Sequence, residues 1–336
     1  MNKKKVASIL AFGLSLALLG QLQPTFVTAA SPVSTQQAAV KSVSTYGIAL
    51  GMTAAQVEQK LGKPARKDPS HTGVEWWIYN RDLNHYIQVG IQNGKAVTLF
   101  SNGANVNVGG VTIGSTTKAL QDAWGAPKST LPITSGLRIQ ENTLSHPTYM
   151  QNNQVFTFSI DQLGGNKVAG VRISTPEHFA TIAMGLMYPI VYTELPAAPK
   201  LTDAQIKQVA IAYEKENFDL LNVARQRAKL PVLTWDEQVA VVARAHSNDM
   251  AQHNYFSHNS PTTGSPFDRL KKAGIRYSYA GENIAYGQLD GIEVHMGWMN
   301  SSGHRQNLLN QNYKQLGVGV VIKAGQPFYT QNFVTK

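Results

Sequence analysis

The sequence predicts an α+β protein made of two domains behind an N-terminal export segment. Three observations predict it. A helix-then-strands pattern occurs twice between residues 46 and 188. A cluster of X-Pro pairs interrupts all periodicity between 189 and 201. From 202 to 336, amphipathic helices are followed by two apolar strands, which outlines helices around a small antiparallel sheet.

The export segment comes first. Lys3, Lys4 and Lys5 precede an uncharged apolar run, Val6 to Leu22, and Val27-Thr28-Ala29 supplies small residues for cleavage. Gly13, Ser8, Ser15 and Gly20 interrupt a run too short for a membrane-spanning helix, which needs about 20 apolar residues. The expectation is a signal peptide over 1–29, cut near Ala29, with no stable membrane anchor left behind. Residues 30–45, rich in Ser, Thr, Gln and Ala, read as a flexible lead.

The chain has no cysteine, so its domains must be held by burial rather than disulfides. Its net charge is +10, of which the three export-segment lysines account for +3, leaving about +7. The basic residues are dispersed, without a dense or aromatic-interleaved block, which excludes nucleic acid as the expected partner. A cationic surface suits anionic wall polymers or phospholipid headgroups.

Within 46–188, Gly47-Ile48-Ala49-Leu50-Gly51 matches Gly110-Val111-Thr112-Ile113-Gly114 at an offset of 63. The same offset carries Val57 onto Leu120, Gly62 onto Gly125 and Pro64 onto Pro127. Each copy reads as an apolar strand, a short helix ended by Gly, and a Pro. Thr53 with Gln56 forms a capping box. Strand patterns follow at 75–79, 86–91 and 95–100, with Asn93-Gly94 as a hairpin signal, and again at 155–160 and 168–173. Each copy is therefore expected to be a helix on its own small antiparallel sheet. His71, His85 and His146, near turn residues, are expected to be exposed loop histidines.

In 202–336, Thr202 and Gln205 cap a first helix that Lys229-Leu230-Pro231 ends. Thr234-Trp235-Asp236-Glu237 opens a second helix carrying His246 and Met250. Ser265-Pro266 opens a third, stopped by Gly274, and Ile292, His295, Trp298 and Met299 mark a fourth. Leu316–Ile322 and Phe328–Phe333 read as the two strands.

These elements carry a recognisable set of motifs. Gly51 to Pro64 resembles the tandem units of β-lactamase inhibitor proteins and small outer-membrane assembly lipoproteins. More closely, the tandem arrangement resembles the N-terminal region that accompanies CAP domains in secreted bacterial proteins. Further along stand His246-Ser247-Asn248-Asp249-Met250, Tyr255-Phe256-Ser257-His258, Gly281-Glu282-Asn283-Ile284-Ala285 and Trp298-Met299-Asn300-Ser301-Ser302-Gly303-His304-Arg305. Leu316-Gly317-Val318-Gly319 and Tyr329-Thr330-Gln331 complete the series. In this order and spacing they closely resemble the CAP superfamily of cysteine-rich secretory, antigen 5 and pathogenesis-related 1 proteins, in its bacterial form. The resemblance implies a three-layer α-β-α sandwich with a central cleft.

It also implies cleft residues at His258, Glu282 and His304, supported by His246, Asn283 and Arg305. The family's second cleft acid falls near Ser301 here, which cannot ionise. Glu293 and Asp249 are the nearest acids, and neither matches the motif. Two imidazoles and a carboxylate suit a divalent metal such as zinc, with Glu282 then the candidate catalytic base. They lie more than twenty positions apart, so spacing alone does not bring them together. Beside that reading stands a structural one, in which Glu282 fixes its turn, His258 bonds Glu282 and His304 caps a loop. His246 reads as a buried histidine, and Asn283 and Arg305 as loop-fixing residues. Ser257 would point away from His258, so a Ser-His pair is set aside.

Three functions follow from the resemblance. The first is a non-enzymatic binding protein in the wall space or medium, for a wall polymer, a lipid or an extracellular protein. The second is a metal-dependent extracellular hydrolase or peptidase working in the cleft. The third makes the tandem-repeat region an inhibitor or partner-binding module.

Overall fold

A computed structural model describes residues 5–7, 45–140, 146–183, 189–193, 196–197 and 199–336. The expected signal peptide and flexible lead lie outside the described residues, except for Thr45 and for Lys5–Ala7, a short strand antiparallel to Ile190–Tyr192.

The two repeat copies do not keep separate sheets. Their strands merge into one seven-stranded sheet in the order Thr148–Gln151, Gln154–Asp161, Lys167–Ser174, Lys95–Ser101, Ile87–Gln92, Glu75–Tyr79, Arg66–Pro69. The join is the antiparallel pair of Lys167–Ser174 with Lys95–Ser101, where Val171 faces Ser101 and Ser174 faces Thr98. Each copy alone would expose the backbone edge of a buried apolar strand, and pairing the two removes both edges. The short helices Ala54–Leu61 and Thr117–Trp124 are capped by Thr53 and Thr116, the same position in the two copies. Asn93 and Gly94 both take positive φ, as a tight hairpin turn requires.

Strand alternation gives this sheet two apolar faces. Trp77, Tyr79, Val89 and Leu99 pack under the two short helices with Val57 and Leu120. Their neighbours Trp76, Ile78 and Phe100 face the other way, against Leu220, Val223, Ile292 and Met296 of the C-terminal half. The stretch 189–201, expected to be a linker, contains the strand Ile190–Tyr192. It pairs with Leu137–Ile139 because Ile190 is buried among Phe179 and Ile182, and that burial outweighs the turn signal of Pro189.

The C-terminal half has three layers. Its mixed sheet runs in the order Thr234–Trp235, Gln315–Lys323, Gln326–Thr335, Tyr279–Tyr286. Leu316, Val318 and Val320 face the 25-residue helix Asp203–Arg227 and helix Gly291–Met299, meeting Val209, Tyr213, Leu221, Val294 and Trp298. Gly317 and Gly319 face the opposite way, against the backbone of helix Glu237–His253. The α+β class and the three-layer sandwich are as the sequence predicts.

Ion pairs cross the interface between the two halves, that of Arg172 buried and the others partly exposed. Arg66 bonds Asp219 at 2.8 Å, Arg172 bonds Asp290 at 2.8 Å and Arg305 bonds Asp161 at 2.6 Å. Two of the three supposed loop histidines belong to this region. His146 is buried 3.8 Å from Glu293, and the His71 ring contacts Tyr213 of the long helix; His85 is exposed. Turn residues flank both interface histidines, but here the turns are covered by the C-terminal half.

Candidate functional site

Glu282 sits on the edge strand Tyr279–Tyr286, paired with Asn332 of the neighbouring strand. The carboxylate is almost fully buried. Its Oε1 takes a hydrogen bond from His258 Nδ1 at 2.8 Å, and its Oε2 takes one from Arg269 Nη2 at 2.6 Å. Arg269 comes from helix Pro266–Lys272, which Ser265 and Asp268 start with a capping box. Its other nitrogen, Nη1, donates to the carbonyls of His258 and Gly264, so one guanidinium ties the His258 loop to Glu282.

His246 approaches the same carboxylate at 3.9 Å from helix Glu237–His253, and its Nε2 contacts the Ser257 carbonyl at 3.1 Å. It is buried, as expected. Burial pushes its imidazole below the usual histidine range despite the Glu282 charge.

His304, on helix Ser302–Leu308, does not reach Glu282. Its Nδ1 bonds Ser301 Oγ at 2.9 Å, so the hydroxyl at the place of the family's second acid holds this ring. Burial, and then the neighbouring His258, lower the His304 imidazole. Asn283 donates to the His304 carbonyl, and Asn307 bonds both Asn283 Oδ1 and the Glu282 carbonyl, which locks the strand to the helix. Arg305 Nη1 donates to the Met299 carbonyl at 3.0 Å, where helix Gly291–Met299 ends, and the same guanidinium reaches across to the other half. It makes a bidentate pair with Asp161 of the repeat region.

The structure thus joins His258, Glu282 and His246, and brings His304 up beside His258. Glu293 turns to Arg172 and His146, and Asp249 keeps its own partners. Burial alone would raise the Asp249 carboxyl, but hydrogen bonds from Ser260, Tyr255 and Thr262 and the His253 charge bring it down to about 2. The expected metal set does not assemble. Both Glu282 oxygens are engaged, one by a buried guanidinium, and among the described residues no three His, Cys, Asp or Glu side chains are arranged to hold a metal. The residues present do not fit a three-ligand metal site, and an Arg-paired Glu282 is not poised as a general base. Sequence reasoning missed Arg269, which reads as an ordinary surface cation of a short helix.

A larger feature lies between the two halves. A cavity of about 380 Å³ is walled mainly by apolar residues such as Ile206, Val209, Leu289 and Pro327, with His71, Thr181, Tyr213 and Gln326 as polar members. Tyr213 spends its one hydroxyl hydrogen on the Leu289 carbonyl at 2.7 Å. His71 Nδ1 must therefore donate to the Tyr213 oxygen. Burial lowers His71, so the ring is neutral, and among the described residues its Nε2 is left as a buried acceptor without a partner. The wall residues come from five separate stretches of sequence, so no motif announces the cavity.

Comparison with known proteins gives two matching family descriptions. "Cysteine-rich secretory protein family" matches residues 218–333, and "CAP-associated N-terminal" matches residues 50–183. YlbC of Bacillus subtilis, described as an uncharacterised membrane protein, is 37% identical over 85% of this chain and 82% of its own length. YkwD of the same organism, also uncharacterised, is 51% identical over 37% of this chain and 48% of its own length. An extracellular SCP-domain protein from Bacillus anthracis has a solved structure similar at a TM-score of 0.78, with 35% identity, covering 85% of this chain and 94% of that one. A cysteine-rich secretory protein from Staphylococcus aureus shares the fold at a TM-score of 0.72 and 20% identity. Among the described residues, no helix is long and apolar enough to cross a membrane.

Proposed function

This chain belongs to the cysteine-rich secretory protein (CAP) family, and from that premise we propose that it is an exported, non-enzymatic binding protein that takes a small apolar molecule between its two halves. The observation that carries this reading is the cavity of about 380 Å³, a volume in the range of small-molecule sites. Apolar walls would hold a hydrocarbon body, and the buried acceptor His71 Nε2, with Thr181 and Gln326 also on the lining, favours a neutral ligand that carries a hydrogen-bond donor, such as a hydroxyl. The signal-peptide pattern of residues 1–29 and the extracellular B. anthracis relative support action outside the cytoplasm, in the wall space or the medium.

The test is displacement of the fluorophore 1-anilinonaphthalene-8-sulfonate by 1-dodecanol. One saturable site is expected, abolished in Ile206→Trp, whose indole fills the cavity. Absence of displacement, or displacement unchanged in Ile206→Trp, counts against the reading.

The hydrolase alternative needs a free Glu282, and the pairing with Arg269 and His258 disfavours it. Glu282→Gln leaves a buried arginine uncompensated and is expected to lower stability by about 3 kcal/mol without removing ligand binding. Loss of a peptidase or esterase activity in a folded Glu282→Gln protein would revive the catalytic reading. The inhibitor-like alternative for the repeat region is weakened because one face of its sheet is already packed against the C-terminal half.

A further inference from the structure

A second recess, of about 180 Å³, opens elsewhere between the two halves and sets charged side chains among apolar ones. Lys167 and Asp161 reach it from the repeat region, and Arg227 and Arg305 from the C-terminal half. Arg305 pairs with Asp161 through both nitrogens, at 2.6 and 2.9 Å. Arg227 ends the long helix and is directed at backbone carbonyls, Ala169 at 3.3 Å and Asn102. Among the described residues, neither Lys167 nor Arg227 makes an ion pair, and both are exposed. Three cations and one carboxylate leave the recess with two uncompensated positive charges on a chain that is already cationic.

We propose that this recess binds the phosphate group of a phosphate monoester or of inorganic phosphate. A carboxylate is matched by a single guanidinium fork, which Asp161 already occupies. A tetrahedral dianion presents oxygens in several directions and can meet two guanidinium groups and an ammonium together. Its charge of about −2 near neutral pH balances the recess. Because the cations come from both halves, the bound anion bridges them and stabilises the folded chain as a whole. The apolar cavity plays no part in this site.

The experiment is calorimetric titration and thermal melting of the full protein with inorganic phosphate, sn-glycerol 3-phosphate and glycerophosphoglycerol, at matched ionic strength. One saturable site and a rising melting temperature are expected for the first two, and weaker binding for the singly charged diester. Free phosphate as the tighter of the first two identifies the ion as the ligand, glycerol phosphate a phosphorylated molecule; either upholds the site. Lys167→Gln, at an exposed residue without an ion pair, is expected to weaken binding about tenfold. Asp161→Asn keeps an amide oxygen for the Gly164 N–H but removes the competing charge, and is expected to tighten binding several-fold. Ile206→Trp leaves phosphate binding unchanged, so failure here and failure of the apolar site are separable. No saturable binding, or binding unmoved by both Lys167→Gln and Asp161→Asn, overturns the proposal.

Discussion

Several histidines lie where burial outweighs any nearby carboxylate, Glu293 beside His146 included. His146, His178 and His295 lie in the interior, and burial pushes their imidazoles down to about 4, 3 and 3, assisted by the Arg172 charge at the first two and Arg227 at the third. Each is neutral in the fold. As pH falls below about 6.5, the unfolded chain takes up protons that the folded chain refuses, and stability is lost. Each of His178 and His295 costs about 2 kcal/mol by pH 5, and His146 a similar amount. Glu293 works the other way. Burial raises it to about 7, against Arg172 and with Asp290, so it regains stability as pH falls from 7 toward 4.5. Asp68, raised to about 6, and Glu214, Glu216 and Asp219, also raised by burial, act as Glu293 does. The separable quantity is therefore the part due to His178, about 2 kcal/mol. Relative to the parent protein, His178→Phe is expected to gain in urea midpoint as pH falls from 7.5 to 5, since among the described residues neither His178 nitrogen has a hydrogen-bond partner to lose. The same dependence of midpoint on pH in both proteins contradicts this. At this scale the sequence was partly legible. His258 and Glu282 meet as the motif order implied, and His246 is buried. Arg269, which decides what Glu282 can do, carries no local pattern, because its role depends on a loop and a strand distant in sequence.

Helix and strand boundaries followed local rules closely. Thr53 with Gln56 and Thr202 with Gln205 form the capping boxes read from the sequence, and the hairpin at Asn93-Gly94 sits at its turn. The motif Leu316-Gly317-Val318-Gly319 has a packing reason that spacing does not reveal. A Cβ on Gly317 would lie 2.1 Å from the Ala240 nitrogen, and one on Gly319 would lie 2.0 Å from the Arg244 nitrogen. Helix Glu237–His253, which carries His246, therefore lies directly on the strand backbone. Gly319→Ala is expected to destabilise the protein by about 3 kcal/mol, since backbone rather than a pliable side chain must yield. Chemical denaturation reads this out, and a loss under about 0.5 kcal/mol, the usual range for surface changes, would show that the helix is free to shift. Element pairing was less legible. The repeat announced two small sheets, yet the strands at 95–101 and 167–174 join them into one. Register between copies is set by buried edges that only the assembled pair possesses, and Ile190–Tyr192 joins its sheet for the same kind of reason.

At the scale of the whole molecule, the two halves are bound into one body by a shared apolar core and ion pairs, and both recesses lie on that seam. None of this was readable in the chain, because each contact joins residues far apart in sequence: Arg66 to Asp219, Arg172 to Asp290, Arg305 to Asp161. The motifs pointed instead to the His258–Glu282–His304 cleft, where the charges are internally satisfied. The proposed function puts ligand binding at the seam and not in that cleft. The most direct measurement is a crystal structure of the protein soaked with 12-bromo-1-dodecanol, reading the bromine by anomalous scattering. A single bromine is expected inside the cavity walled by Ile206, Val209 and Pro327, with the hydroxyl on His71 Nε2. A bromine beside His258 and His304, with the seam cavity empty, would contradict it.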